Sequence, residues 1–190
     1  MPTDSPPLSE KELIDILADP VLFCQAFLGF KLRTYQESII QDCVNHDRVA
    51  VRMSRQAGKS SVIAAFCLYW AFLNPGSKIV IVSRTLNQAK NLFDKIRSMS
   101  KNSEFIYSKV TKDFTTLMEI HGSVIRALPS GLEGKTIRGY DADFVILEEA
   151  AYIGDDIIES VVLPMIGAKV QNKVIAISTP IGKGFFYECF

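Results

Sequence analysis

Apolar and polar positions along the chain follow two alternating rhythms. Short continuous apolar runs at 48–53 (RVAVRM), 78–83 (KIVIVS), 143–147 (DFVIL) and 173–177 (KVIAI) are bounded by turn residues and read as buried strands. Longer stretches with helical spacing lie between them: roughly 59–73, closed by Asn74-Pro75-Gly76, then about 86–99 and 156–166. Ser9 followed by Glu12 is a capping box that opens a short helix to about Ala18, and further helices are predicted over 21–28 and 34–45. Between Asp113 and Ala127, two β-rich runs flank His121-Gly122 and predict a hairpin. Apolar strands alternating with helices predict an α/β fold with a mainly parallel central sheet and helices on both faces. The pattern carries no strand order.

At 190 residues the chain suffices for one well-filled domain. Its 48% hydrophobic and 22% charged content is globular rather than disordered. Formal net charge is zero, so no global basic field advertises a nucleic-acid partner. Local charge remains: Arg84, Lys90, Lys95, Arg97 and Lys101 tilt one helix towards basic, and Lys109 and Lys112 add to it. Weak, strongly salt-dependent DNA binding is the expectation. Cys24, Cys43, Cys67 and Cys189 are scattered, and neither His46 nor His121 stands near them at zinc-ligand spacing, so core thiols in a reducing compartment are expected. The polar, proline-rich first residues lack the apolar region of a signal peptide, and the apolar stretch 61–73 is too short to span a bilayer. The expectation is a soluble, intracellular protein with no membrane association.

The strongest chemical signal is the strand at 48–53 running through Ser54-Arg55-Gln56-Ala57-Gly58-Lys59-Ser60 into a helix, with Ser61 just beyond. A phosphate chain needs inward backbone N–H groups at a helix N-terminus, a glycine at the point of close approach and a lysine on the terminal phosphates. Ser60 then offers a hydroxyl to Mg²⁺. The first glycine usual in such a loop is replaced by Met53.

The second signal is an apolar strand ending in Glu148-Glu149. Such a strand is expected beside the P-loop strand, its first acid towards the Mg²⁺ shell and its second polarising the attacking water. The alternative is a buried strand running into a solvated acidic turn. Glu148 stands where aspartate is more usual, and its extra methylene alters the distance to a metal. A third signal, Ser178-Thr179-Pro180, follows the strand at 173–177. A hydroxyl pair at the carboxyl edge of a parallel strand faces the ligand crevice of such sheets, although a strand simply stopped by proline reads the same way.

Gln36 in LRTYQESII, the loop SRQAGKS, the segment RGYDADFVILEEAAYI and the final ISTPIGKGFFYECF follow one another as in the large terminase subunit of tailed double-stranded-DNA phages, which the chain resembles from about Leu32 to Phe190. The resemblance implies a RecA-like P-loop NTPase of the ASCE type that hydrolyses ATP with Mg²⁺ to pump double-stranded DNA into a procapsid. It implies a homo-oligomeric ring working with a portal protein and a small terminase subunit in the host cell cytoplasm, and a monomer in isolation. By the same resemblance, Tyr35 and Gln36 contact adenine, and Arg55 acts on the γ-phosphate within the subunit. Arg138 reaches the neighbouring subunit's nucleotide, and Ser178 and Thr179 couple hydrolysis to domain motion. Residues 1–30 are expected as a helical segment packed on an ATPase domain over 31–190, with the family's nuclease domain and its activity absent. Two other readings stand at this point. One is a helicase-like ATPase, suggested by Leu147-Glu148-Glu149-Ala150 and Gln36; the other is a switch that binds ATP without turnover.

Overall fold

Strands β1 (Arg48–Arg52), β2 (Lys78–Ser83), β3 (Val110–Asp113), β4 (Leu117–Ile120), β5 (Ser123–Pro129), β6 (Phe144–Glu148) and β7 (Lys173–Ser178) make one sheet in the order β1-β7-β6-β2-β5-β4-β3. This arrangement comes from a computed structural model that describes residues 9–167 and 172–190. The first eight residues, read above as no signal peptide and as the start of the N-terminal segment, lie outside the described residues. Strands β1, β7, β6, β2 and β5 pair in parallel, and β5, β4 and β3 continue as an antiparallel meander.

Burial on both sides explains the unbroken apolar runs. Along β2, Ile79 and Ile81 join one core layer while Val80 and Val82 join the other. In the same way Phe144 and Ile146 oppose Val145 and Leu147 on β6, and Ile175 and Ile177 oppose Val174 and Ala176 on β7. Helices α1 (Glu10–Ala18), α2 (Pro20–Ala26), α3 (Thr34–Asn45), α4 (Lys59–Leu73), α5 (Leu86–Lys101) and α6 (Glu104–Tyr107) belong to the first layer. The second layer holds α7 (Asp155–Ile157), α8 (Leu163–Ile166) and α9 (Phe185–Glu188).

The expected capping box is formed: the Ser9 side chain accepts the Glu12 N–H, and the Glu12 carboxylate accepts the Ser9 N–H. The expected hairpin is β4–β5. Its turn residues His121 and Gly122 both have positive φ, 49° and 79°, the turn whose twist matches that of the strands. The helix expected at 156–166 is present but carries a π-turn over Ile158–Val162 between α7 and α8. Pro164 follows directly; it has no N–H to offer, and its ring crowds the carbonyl four residues back.

One expectation fails. The acidic strand β6 does not lie beside the P-loop strand β1, because β7 stands between them, with Arg52 level with Ser178 and Glu148 level with Ile177. The chain leaves β6, crosses the second layer and returns to fill the gap, an order that hydrophobic periodicity does not encode. Core thiols describe Cys24, Cys43 and Cys67, whereas Cys189 is exposed.

The base of the sheet is closed around a buried cation. Lys173, at the start of β7, donates to the carbonyls of Cys43, at 2.6 Å, in the last turn of α3, and of His46, the residue that caps that helix. Its ammonium also lies 5.3 Å from the Trp70 ring centre. Near it, Phe23 of α2 packs edge-on against Tyr69 of α4 at 5.3 Å, seating the N-terminal helices on the first layer. Among the described residues no helix is long and apolar enough to cross a membrane.

Candidate functional site

Parallel pairing brings the carboxyl ends of β1, β7 and β6 to one edge, so three segments distant in sequence leave the sheet side by side. The loop after β1 takes left-handed backbone at Gln56 (φ 61°) and Gly58 (φ 79°), then enters α4 at Lys59. Met53, where a glycine is usual, is not a positive-φ position and packs its side chain on the core. The turn is made at Gln56 and Gly58 instead, which is why the missing glycine does no harm.

Lys59 is buried, and its ammonium lies 3.4 Å from Glu149 Oε1. The other carboxylate oxygen of Glu149 accepts the Ser178 hydroxyl at 3.1 Å and the Thr179 N–H at 3.5 Å. Glu149 itself has left-handed backbone (φ 53°, ψ 50°), a costly conformation for a residue with a side chain and one that concentrates at functional sites. Beside it, Ser60 donates its hydroxyl to Glu148 Oε1 at 3.0 Å, so the longer side chain reaches the loop directly. Glu148 is 6% exposed, and its Oε2 is buried without a hydrogen-bond partner. Burial pushes its carboxyl up to about 7; the Ser60 hydroxyl opposes this, the Glu149 charge adds to it and Lys59 opposes it. An orphaned, desolvated carboxylate oxygen beside a serine hydroxyl is a donor set for a hard cation such as Mg²⁺. Glu149, half-buried and held from three sides, is placed to accept a proton from water.

The N-terminus of α3 lies against the same loop. Tyr35 donates its hydroxyl to the Ala57 carbonyl at 2.9 Å and is 39% exposed, so it is not a core aromatic. Gln36 is buried, with its Oε1 accepting the Arg33 N–H at 3.0 Å. A Cβ on Gly58 would lie 2.7 Å from Gln36 Nε2. A hollow there is lined by Phe30, Arg33, Tyr35, Gln36, Ala57 and Ser61 among others. No motif or periodicity marks Phe30, Lys31 and Arg33 as sharing it.

Not every expected residue converges. Ser54 and Arg55 are exposed on the loop, and Arg138 is exposed on the segment linking β5 to β6, anchored by the buried Ile137 before it. Among the described residues neither arginine forms an ion pair with the acidic pair. The basic tilt of α5 is in part internal. Arg97 and Lys101 pair with Asp113, and Lys112 pairs with Glu119, leaving Arg84, Lys90 and Lys95 outside any ion pair among the described residues.

A family model of the large terminase subunit, T4-like virus type, N-terminal part, matches residues 52–190. The terminase large subunit of Thermus phage G20c is 28% identical over 180 residues, covering 86% of this chain. The chain spans only 36% of that relative's length. Among solved structures, the large terminase ATPase domain of Thermus phage P74-26 superimposes with a TM-score of 0.72 at 26% identity, over 87% of this chain and 72% of that one. The HK97 bacteriophage large terminase, at 20% identity, agrees in fold with a TM-score of 0.76 over 90% of this chain and 40% of its own. The fold is the RecA-like P-loop type, with the additional strand β7 between loop strand and acidic strand.

Proposed function

Because the chain belongs to the large terminase subunit family, in its T4-like N-terminal part, we propose that it is the ATPase domain of a viral genome-packaging motor, hydrolysing ATP to drive double-stranded DNA into a procapsid. The observation that carries this reading is the seating of Glu149, whose carboxylate spans Lys59 on the phosphate loop and Ser178 on β7. A switch that only holds nucleotide has no need of a second acid fixed at the mouth of that loop.

In this reading the N–H groups of 54–60 cradle the phosphates at the start of α4, and Lys59 places its charge on the terminal oxygens. Mg²⁺, when bound with ATP, supplies charge neutralisation on the β- and γ-oxygens. Ser60 and Glu148 would hold it, directly or through water, and the orphaned Glu148 Oε2 supports that fit. Glu149 takes a proton from the attacking water while Ser178 and Thr179 fix its orientation. Tyr35 offers a ring face to the base, and Gln36 braces the loop at Gly58. Arg55 acts within the subunit and Arg138 on the neighbour's nucleotide, an assignment supported by the exposure of Arg138 and its lack of an ion pair among the described residues. Residues 9–30 form a helical segment on an ATPase domain that begins at residue 31. The working assembly is a ring in the host cell cytoplasm, with a portal protein and a small terminase subunit as partners. DNA contact by this chain alone is weak, in keeping with the internal pairing of Arg97, Lys101 and Lys112.

Steady-state hydrolysis by the wild type, Lys59→Ala and Glu149→Gln tests the reading. Turnover should fall on the order of 10²- to 10⁴-fold in Glu149→Gln while nucleotide binding persists. A wild type that binds ATP and hydrolyses it no faster than Glu149→Gln would return the chain to the class of non-hydrolysing switches.

A further inference from the structure

The segments that leave β6 and β7 are joined twice. The first link is at the site, where Ser178 and Thr179 hold Glu149 Oε2. The second lies further along both segments, where Asp155 Oδ1 accepts the Phe185 N–H at 2.9 Å. Gly184 is the N-cap of α9 and has no side chain to satisfy the amides of that helix; Asp155 does so from the other segment. A Cβ on Gly184 would sit 2.8 Å from both Asp155 carboxylate oxygens. The backbone there (φ −114°) suits any residue, so the carboxylate, not the conformation, requires glycine. Helix α9 is fixed in turn by buried Phe186, and Phe190 lies under the Arg52 guanidinium, 4.4 Å away, at the end of β1. The contacts close a ring from Glu149 through Ser178 and Phe185 to Asp155 and back along the chain.

We propose that Asp155 is a positioning residue for hydrolysis. By capping α9 it fixes the far end of residues 178–185, and so holds Ser178 and Thr179 where they orient Glu149. This rests on the ATPase reading. A segment tied at both ends keeps its register; tied at one end, it samples others, and small misplacement of a catalytic group lowers turnover steeply. Asp155 bonds to the Phe185 amide rather than to Lys59 or Ser60 and does not line the hollow at Tyr35, so its loss should spare substrate binding.

The test compares Asp155→Ala, Asp155→Asn, Gly184→Ala and the double variant Asp155→Ala/Gly184→Ala. The readouts are kcat and KM for ATP, and amide exchange over 178–186. Asp155→Ala should lower kcat about three- to tenfold, the size expected for one hydrogen bond, with KM within about twofold. Asp155→Asn should restore kcat, because its amide oxygen still caps. Gly184→Ala should match Asp155→Ala, and the double variant should be no worse than either. Unchanged kcat in Asp155→Ala, losses that multiply in the double variant, or failure of asparagine to restore would each overturn the proposal. If the wild type hydrolyses no ATP, the ATPase reading falls, and exchange decides the Asp155 link by itself. Faster exchange over 178–186 in Asp155→Ala, reversed by asparagine, sustains the link, and unchanged exchange removes it.

Discussion

Ser60 and Glu148, 88 positions apart, meet at 3.0 Å where the phosphate loop faces the acidic strand. Glutamate is long enough to close this gap from β6, and the contact leaves Oε2 buried and free to meet a cation. Glu148→Asp withdraws the carboxylate by about 1.5 Å, one carbon–carbon bond. The Mg²⁺ concentration for half-maximal turnover should rise several-fold in Glu148→Asp and about 10- to 100-fold in Glu148→Ala, the range typical of lost metal support. A Mg²⁺ titration of hydrolysis checks this, and an unchanged requirement in Glu148→Ala would show that Glu148 does not serve the metal.

Arg138 faces solvent with no ion pair within its own chain among the described residues. Its contribution should therefore appear only when subunits meet. Turnover per wild-type subunit should rise with protein concentration, whereas Arg138→Ala should stay flat and match the wild type at high dilution. An arginine supplied across an interface is worth up to about 10³-fold or more, so the curves should separate widely. Equal loss at every dilution would place Arg138 within its own subunit.

Gly58 and Gly29 both have positive φ, 79° and 60°, but only Gly58 has a neighbour in the way, with Gln36 Nε2 2.7 Å from where a Cβ would stand. Alanine at Gly29 should cost about 1 kcal/mol of backbone strain; at Gly58 it should cost about 1–3 kcal/mol and also displace Gln36 from the loop. Thermal melts of the two variants, with nucleotide-binding titrations, separate the shared strain from the added clash. Loss of nucleotide affinity should be confined to Gly58→Ala.

Burial pushes the Cys24 and Cys43 thiols from an ordinary value of 9.0 up to about 12, and Cys67 moves in the same direction. Raised folded-state values mean that the unfolded chain releases these protons first. The stabilisation is complete below about pH 9 and is lost as pH climbs towards 12. Burial lowers Lys173 and gives a contribution of opposite sign, set against three thiols. Urea midpoints should hold steady from pH 7.5 to 8.5 and fall from about pH 9 upward. The fall should be shallower in Cys24→Ala.

Much of this was legible because it is local. The runs in β2, β6 and β7 are apolar without interruption because both faces are buried, and that property is written residue by residue. Glu148, Glu149 and Ser178 sit at the ends of those runs, and Lys59 and Ser60 open α4 a short loop after β1, so their motifs could be read with the elements they adjoin. Val110–Asp113 escaped because an edge strand of Val-Thr-Lys-Asp is polar and gains its structure from β4. The order of β6 and β7 escaped because crossovers leave no periodicity. Asp155 had no signal at all: its partner is 30 positions away and is a backbone amide.

The buried contact between Lys173 and Trp70 gives the chain an optical handle. Trp70 is its single tryptophan, and an ammonium at 5.3 Å with Phe144 at 5.5 Å makes the indole's surroundings unlike water. It lies eleven positions along α4 from Lys59, about 16 Å at helical rise. Its emission should therefore follow the packing of α3, α4 and β7 during unfolding and stay nearly silent when nucleotide enters the far end, so folding and ligand binding can be followed in one sample by separate signals.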